Sequence, residues 1–151
     1  MDILIRNAMK EDAPAISRTI ITTLRESNAQ DYSPDIIDQV VQSFSPLAIL
    51  HLLTERQVLV ATIGGHVVAT ASLDQDVVRS VFVDTSHQGK GIGKHLMERI
   101  QSMALDAGLN RLRVPSSITA EGFYASLGFI KIRDEFHQKE RTIIMVKGLK
   151  L

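Results

Sequence analysis

From Val81 to Lys94 the chain reads Val-Phe-Val-Asp-Thr-Ser-His-Gln-Gly-Lys-Gly-Ile-Gly-Lys, an apolar stretch of strand type that passes through three close glycines into helical periodicity. A strand end, a glycine turn and a helix start within one short span restrict the fold more than any other feature. Glycine, lacking a Cβ, takes up positive backbone angles and lets other atoms approach the main chain. The first amides of a helix have no intrahelical partner and lie at the positive end of its dipole, so the junction suits a phosphate or diphosphate. Glycines alone shape a plain loop equally well, so spacing has to separate the cases.

Two phosphate motifs fail on that spacing. Gly89 to Lys94 is one residue too short for a P-loop, and His95 stands where a magnesium-binding Ser or Thr belongs, which disfavours an ATPase. In a dinucleotide fingerprint the last two glycines lie further apart than Gly91 and Gly93, and the strand should come early in the chain.

The flanking sequence predicts the surrounding elements. Ile3 to Arg6 alternates as a strand, and Asp12 with Pro14 opens a helix carrying Ile16, Ile20 and Leu24 on one face. Ser33-Pro34 and Ser45-Pro46 each place an N-cap before a proline at the first helical position, predicting two more helices. Gly64-Gly65 turns a hairpin between Val58 to Ile63 and His66 to Leu73, and Asp74-Gln75-Asp76 breaks before a third antiparallel strand, Val77 to Val83. A helix through Ile92, Leu96, Ile100 and Met103 ends at Gly108. A strand from Leu109 to Val114, a helix from Ile118 to Leu127, a strand from Phe129 to Arg133, a polar connection from Glu135 to Glu140 and a last strand from Arg141 to Lys147 complete the reading.

With 151 residues the chain forms a single domain, 1–151. Its 17 basic and 17 acidic residues balance, so no global field recruits nucleic acid or an anionic membrane, and neither is expected as a partner. The absence of cysteine excludes disulfides, thiolate metal sites and a cysteine nucleophile. The five histidines show no metal-ligand spacing, so no metal is expected. No Gly-x-Ser-x-Gly stands for a hydrolase. The start of the sequence lacks the basic and long apolar regions of a signal peptide, and no apolar run is long enough to cross a bilayer, so the expected location is cytoplasmic.

Gln88-Gly89-Lys90-Gly91-Ile92-Gly93 matches Gln or Arg, two residues, Gly, one residue, Gly or Ala, and Ser116 precedes Phe123-Tyr124-Ala125-Ser126-Leu127-Gly128-Phe129. With these two ordered motifs, spread over Val77 to Ile130, the chain resembles the GNAT superfamily of acyl-coenzyme A N-acyltransferases. The resemblance implies an α/β (α+β) fold, with a central, mainly antiparallel mixed sheet of six to seven strands flanked by about four to five helices. It implies acetyl-coenzyme A as co-substrate and a small-molecule or peptide amine as acceptor, attacked directly and without a covalent enzyme intermediate. It leaves homodimer formation open.

The same resemblance assigns roles. The backbone of Val81, Phe82 and Val83 would hydrogen-bond the pantetheine arm, and Gln88, Gly89, Lys90, Gly91, Ile92, Gly93 and Lys94 would cradle the diphosphate, with Ser116 beside them. Tyr124 would point at the sulfur and protonate the departing thiolate, although an aromatic at this spacing also reads as core. A lysine-like amine must first lose a proton, which costs about 4 to 5 kcal/mol at neutral pH. Some family members carry a glutamate near the position of Val77, which cannot accept a proton, so Asp74 and Asp76 are the candidate bases, against an ordinary structural role for aspartates in a hairpin turn. Thr85 and Pro115 also depart from the family pattern. The rival reading is a coenzyme A-dependent sensor or interaction module on the same fold that has lost its chemistry.

Overall fold

The computed structural model describes residues 2–150. Strand β1 (Ile3–Asn7) leads into helix α1 (Ala13–Glu26), and the junction is held by charge rather than by a side-chain cap. Asp12 accepts both guanidinium nitrogens of Arg6, at 2.8 and 3.0 Å, and the amide of Met9 at 2.7 Å. The two serine-proline pairs behave as their chemistry dictates. Ser33 Oγ accepts the Ile36 amide at 3.4 Å to open α2 (Pro34–Val41), and Ser45 Oγ accepts the Ala48 amide at 3.2 Å to open α3 (Pro46–Glu55).

Strands β2 (Gln57–Ile63) and β3 (His66–Asp74) turn at Gly64 and Gly65, whose φ values of +57° and +82° are those a tight hairpin requires. There follow β4 (Val77–Val83), α4 (Ile92–Asp106), β5 (Arg111–Ser116), α5 (Glu121–Ser126), β6 (Ile130–His137) and β7 (Glu140–Gly148). They form one seven-stranded mixed sheet in the order β1-β2-β3-β4-β5-β7-β6, antiparallel everywhere except between β4 and β5. One face carries a core in which Ile92, Leu96, Met97 and Ile100 of α4 pack on Leu59, Ala69, Val78 and Val114. On the other face Ile16, Ile20 and Leu24 of α1 and Ile49 of α3 pack on Val60. Alternation along the strands divides the apolar residues between the two layers.

Three elements differ from the sequence expectation. The helix predicted from Ile118 begins at Glu121, because the amide of Ile118 is taken by the Tyr32 hydroxyl at 2.8 Å and Ser117 Oγ receives the Ala120 amide at 3.1 Å. Strand β6 extends through Glu135 to His137, where a polar connection was expected, and pairs with β7 as far as His137 opposite Glu140. Strand β5 runs two residues past Val114, so Pro115 lies inside it.

Pro115 bears on the site. Strands β4 and β5 pair at one register position, Val77 with Arg113, and the Arg113 amide donates to the Asp76 carbonyl at 2.9 Å. Two residues on, the backbone nitrogen faces the same way, toward β4, but a proline has no hydrogen to offer. The strands therefore part beyond Arg113 without leaving an orphaned donor on β5, and the parallel pair opens into a fork.

Candidate functional site

A cavity of about 950 Å³ fills the fork, walled by β4 from Val77 to Val83, by β5 from Arg113 to Ser116, and by α5. A bulge shapes the β4 wall. Thr70 pairs with Phe82 and Ser72 with Arg79, so β4 carries an extra residue here, and Ser80 takes a positive φ of +56°. The Asp84 amide returns to β3, donating to the Val68 carbonyl at 2.8 Å, so alternation turns the amides of Val83 and Val81 the other way, into the fork.

At the open end of β4 the glycine turn meets α4. Gly89 and Gly91 have φ values of +76° and +83°, which leave the N-terminal amides of α4 facing the cavity. Gly93 is needed for a different reason: an added Cβ would meet the Phe123 ring on α5. Gln88 locks the turn, its side-chain amide donating to the Val83 carbonyl at 3.0 Å and to Ser27 Oγ at 3.4 Å. The Thr23 hydroxyl reaches the same carbonyl at 3.3 Å, tying α1 to the strand end. Turn, strand and first helix are thus one assembly, with a helix N-terminus aimed along β4.

Tyr124 sits across the fork, 4% exposed, in edge contact with Phe123 and Phe129 at ring centroid distances of 5.1 and 5.5 Å. Burial alone pushes its phenol well above the ordinary tyrosine range, so the hydroxyl stays protonated. Core packing and cavity lining are both true of it: the ring is clamped while the residue lines the fork.

Of the residues singled out in the sequence, Val81, Phe82, Val83, Gln88, Gly89, Gly91, Ile92, Gly93, Lys94, Ser116 and Tyr124 all line this one cavity. Lys90 is not among the lining residues and is exposed on the turn. Ser116 is 1% exposed and spends its hydroxyl hydrogen on the Ser117 carbonyl at 2.7 Å. The two candidate bases also lie off the wall. Asp74 and Asp76 sit at the β3–β4 turn, where the Asp74 carboxylate faces Arg79 at 3.4 Å and the Asp76 carbonyl holds β5.

Sequence reasoning missed several wall residues. Tyr32, from the segment between α1 and α2, donates to the Arg141 carbonyl at 2.8 Å while accepting the Ile118 amide, and so joins three distant segments over the cavity. Arg56, Arg79, Arg113 and Arg133 line the wall, as do Glu135 and Glu140. The only early signal for Tyr32 was its rarity, as one of two tyrosines in the chain.

A family model described as an acetyltransferase (GNAT) domain matches residues 28–147. Among solved structures, a GCN5-related N-acetyltransferase from Rhodopseudomonas palustris superposes with a TM-score of 0.93 at 22% identity, over 99% of this chain and 97% of that one. PaiA N-acetyltransferase from Thermoplasma acidophilum, solved in complex with coenzyme A, gives 0.83 at 18% identity over 98% and 99%. YncA from Salmonella typhimurium, solved with its cofactor acetyl-CoA, gives 0.68 at 24% over 98% and 94%. At these identities the likeness is one of fold. No curated protein matches the chain.

Proposed function

The chain belongs to the GNAT acetyltransferase family, and from that premise we propose that it transfers an acetyl group from acetyl-coenzyme A to a primary amine by direct attack. The observation that carries this reading is the continuity of the fork: one cavity runs from the glycine turn, along the free amides of β4, to the Tyr124 phenol. Two of the solved structures it resembles hold coenzyme A or acetyl-coenzyme A.

The residues present suit that ligand. The amides at the start of α4, helped by Lys94, would receive the diphosphate, and the amides of Val81 and Val83 would receive the pantetheine arm as an added strand would be received. Acetyl-coenzyme A, when bound, supplies an acyl carbon activated as a thioester and a thiolate leaving group. Tyr124, held neutral by burial, donates its hydroxyl proton to that sulfur. Of the two wall carboxylates, Glu135 is engaged by Arg133 at 3.0 Å, which leaves Glu140 to take the proton of the acceptor amine. With no cysteine in the chain, direct attack needs only positioning of amine and thioester in one cavity.

The test has two stages. Thermal melts with acetyl-coenzyme A at about 100 times its dissociation constant should show roughly 2.7 kcal/mol of added stability. Free-thiol release across a panel of amines should then show turnover. Stabilisation without turnover of any amine would favour the sensor reading, and no stabilisation even at millimolar ligand would end both.

A further inference from the structure

The end of the fork opposite the glycine turn is cationic. Arg56, which follows α3, Arg79 on β4 and Arg113 on β5 all line the cavity there. Arg113 pairs in register with Val77, two residues before Arg79, so the strand alternation puts the side chains of Arg79 and Arg113 on one face of the sheet. That face is the one covered by α1 and α3, and Arg56 reaches the same wall, donating to Ser80 Oγ at 3.2 Å. Counter-charge is sparse. Asp74 faces Arg79 at 3.4 Å and acts on Arg56 from a distance, as Glu55 does more weakly, while among the described residues neither Arg56 nor Arg113 forms a salt bridge. The Arg56 guanidinium is depressed below its ordinary range by burial first and by repulsion from Arg79 second, which outweighs the pull of either carboxylate.

Arg56 and Arg79 repel one another, and the single carboxylate Asp74, which faces Arg79, leaves Arg56 and the more exposed Arg113 without an ion-pair partner, so the three together carry an excess of positive charge that an anion would offset. The coenzyme diphosphate is not that anion. Arg79 lies four residues before Val83 along β4, about 13 Å from the turn that receives the diphosphate. Ile36, Val40 and Phe44 add apolar lining to the cavity, with the Phe44 ring edge-on to Phe82.

We propose that Arg56, Arg79 and Arg113 form the acceptor site for an amine that also carries an anionic group, a carboxylate or a phosphate, joined to the amine by a short partly apolar body. Planar guanidinium forks bind either group through paired charge-assisted hydrogen bonds. The anion seated at the base of the fork turns the amine up the cavity toward Tyr124. This inference rests on the acetyltransferase reading and narrows its acceptor to amino-acid-like or aminophosphate-like molecules, against polyamines.

Thermal melts of the full-length protein loaded with coenzyme A test it directly. N-acetyl-L-phenylalanine and N-acetyl-2-aminoethylphosphonate are the anionic probes, and N-acetyl-L-phenylalaninamide and the phosphonate diethyl ester their neutral counterparts. At least one anion should raise the midpoint, its neutral counterpart should not, and Arg56→Gln or Arg113→Gln should abolish the rise while binding coenzyme A with wild-type affinity. The two anion arms distinguish carboxylate from phosphate recognition. In thiol-release assays the anionic amine should exceed its neutral counterpart at least tenfold in kcat/KM, and Arg56→Gln should remove that preference through KM. If coenzyme A stabilises the protein but neither anion does, or spermidine is the preferred acceptor, the anionic site is overturned and the acetyltransferase reading stands. Failure to bind coenzyme A at all overturns both.

Discussion

A Cβ on Gly93 would stand 3.1 Å from Cζ and 3.2 Å from Cε1 of Phe123, so α4 and α5 meet there with no room for a side chain. The contact fixes the helix N-terminus against the element that carries Tyr124. Gly93→Ala gains helix propensity, at most about 1 kcal/mol near a helix start. It loses about 1–3 kcal/mol to overpacking against the ring. We expect a net loss of stability of about 1 kcal/mol and weaker coenzyme A binding. In a Phe123→Ala background the sign should reverse, which a double-mutant cycle on melting data reads directly.

Removing the Tyr124 hydroxyl separates binding from chemistry. Tyr124→Phe keeps the ring contacts with Phe123 and Phe129, so acetyl-coenzyme A affinity should be unchanged by calorimetry while kcat falls about 10²-fold. Unchanged turnover would take the phenol out of the mechanism.

The same group predicts an alkaline effect. Its phenol is raised in the folded protein, so the folded state holds this proton more tightly than the unfolded one. The associated stability is fully present below the unfolded tyrosine value near pH 10 and declines as pH rises above it. Melting temperatures from pH 9 to 11 should fall less steeply for Tyr124→Phe than for the wild type; parallel slopes would refute the assignment.

Asp12 predicts the acid side. Its carboxyl is lowered chiefly by the hydrogen bonds from Arg6, against an opposing push from burial. The stability this contributes is present above the unfolded carboxylate range near pH 4 and disappears as pH falls through the lowered folded value. Asp12→Asn should cost about 1–3 kcal/mol at pH 7, from loss of bonds to a charged group, and should flatten the acid limb of the melting curve.

Tyr32→Phe leaves the Ile118 amide and the Arg141 carbonyl without their shared partner. A loss of about 1–2 kcal/mol is expected. Faster hydrogen exchange at 117–120 should accompany a higher KM for the acceptor with little change in that for acetyl-coenzyme A. Unchanged exchange would show that the hydroxyl does not order the segment.

Sequence by itself determined the features that depend on near neighbours. Serine-proline caps, the double-glycine hairpin and the strand-to-helix glycine turn each act within a few residues, so Ser33, Ser45, Gly64, Gly65 and the run from Gln88 to Gly93 were legible, as was Tyr124 through its motif. Tertiary structure decided whatever depends on strand register and on contacts between remote segments. The start of α5 was set by Tyr32, far away in sequence. Asp74 and Asp76, adjacent to the expected base position, are not among the residues that line the cavity: the Asp74 carboxylate faces Arg79, and the Asp76 carbonyl holds β5. Arg56, Arg79 and Arg113 carry no local signature, and only the forking of β4 from β5 gathers them, because side chains from distant parts of the chain share a wall only after the sheet has fixed which face each one takes.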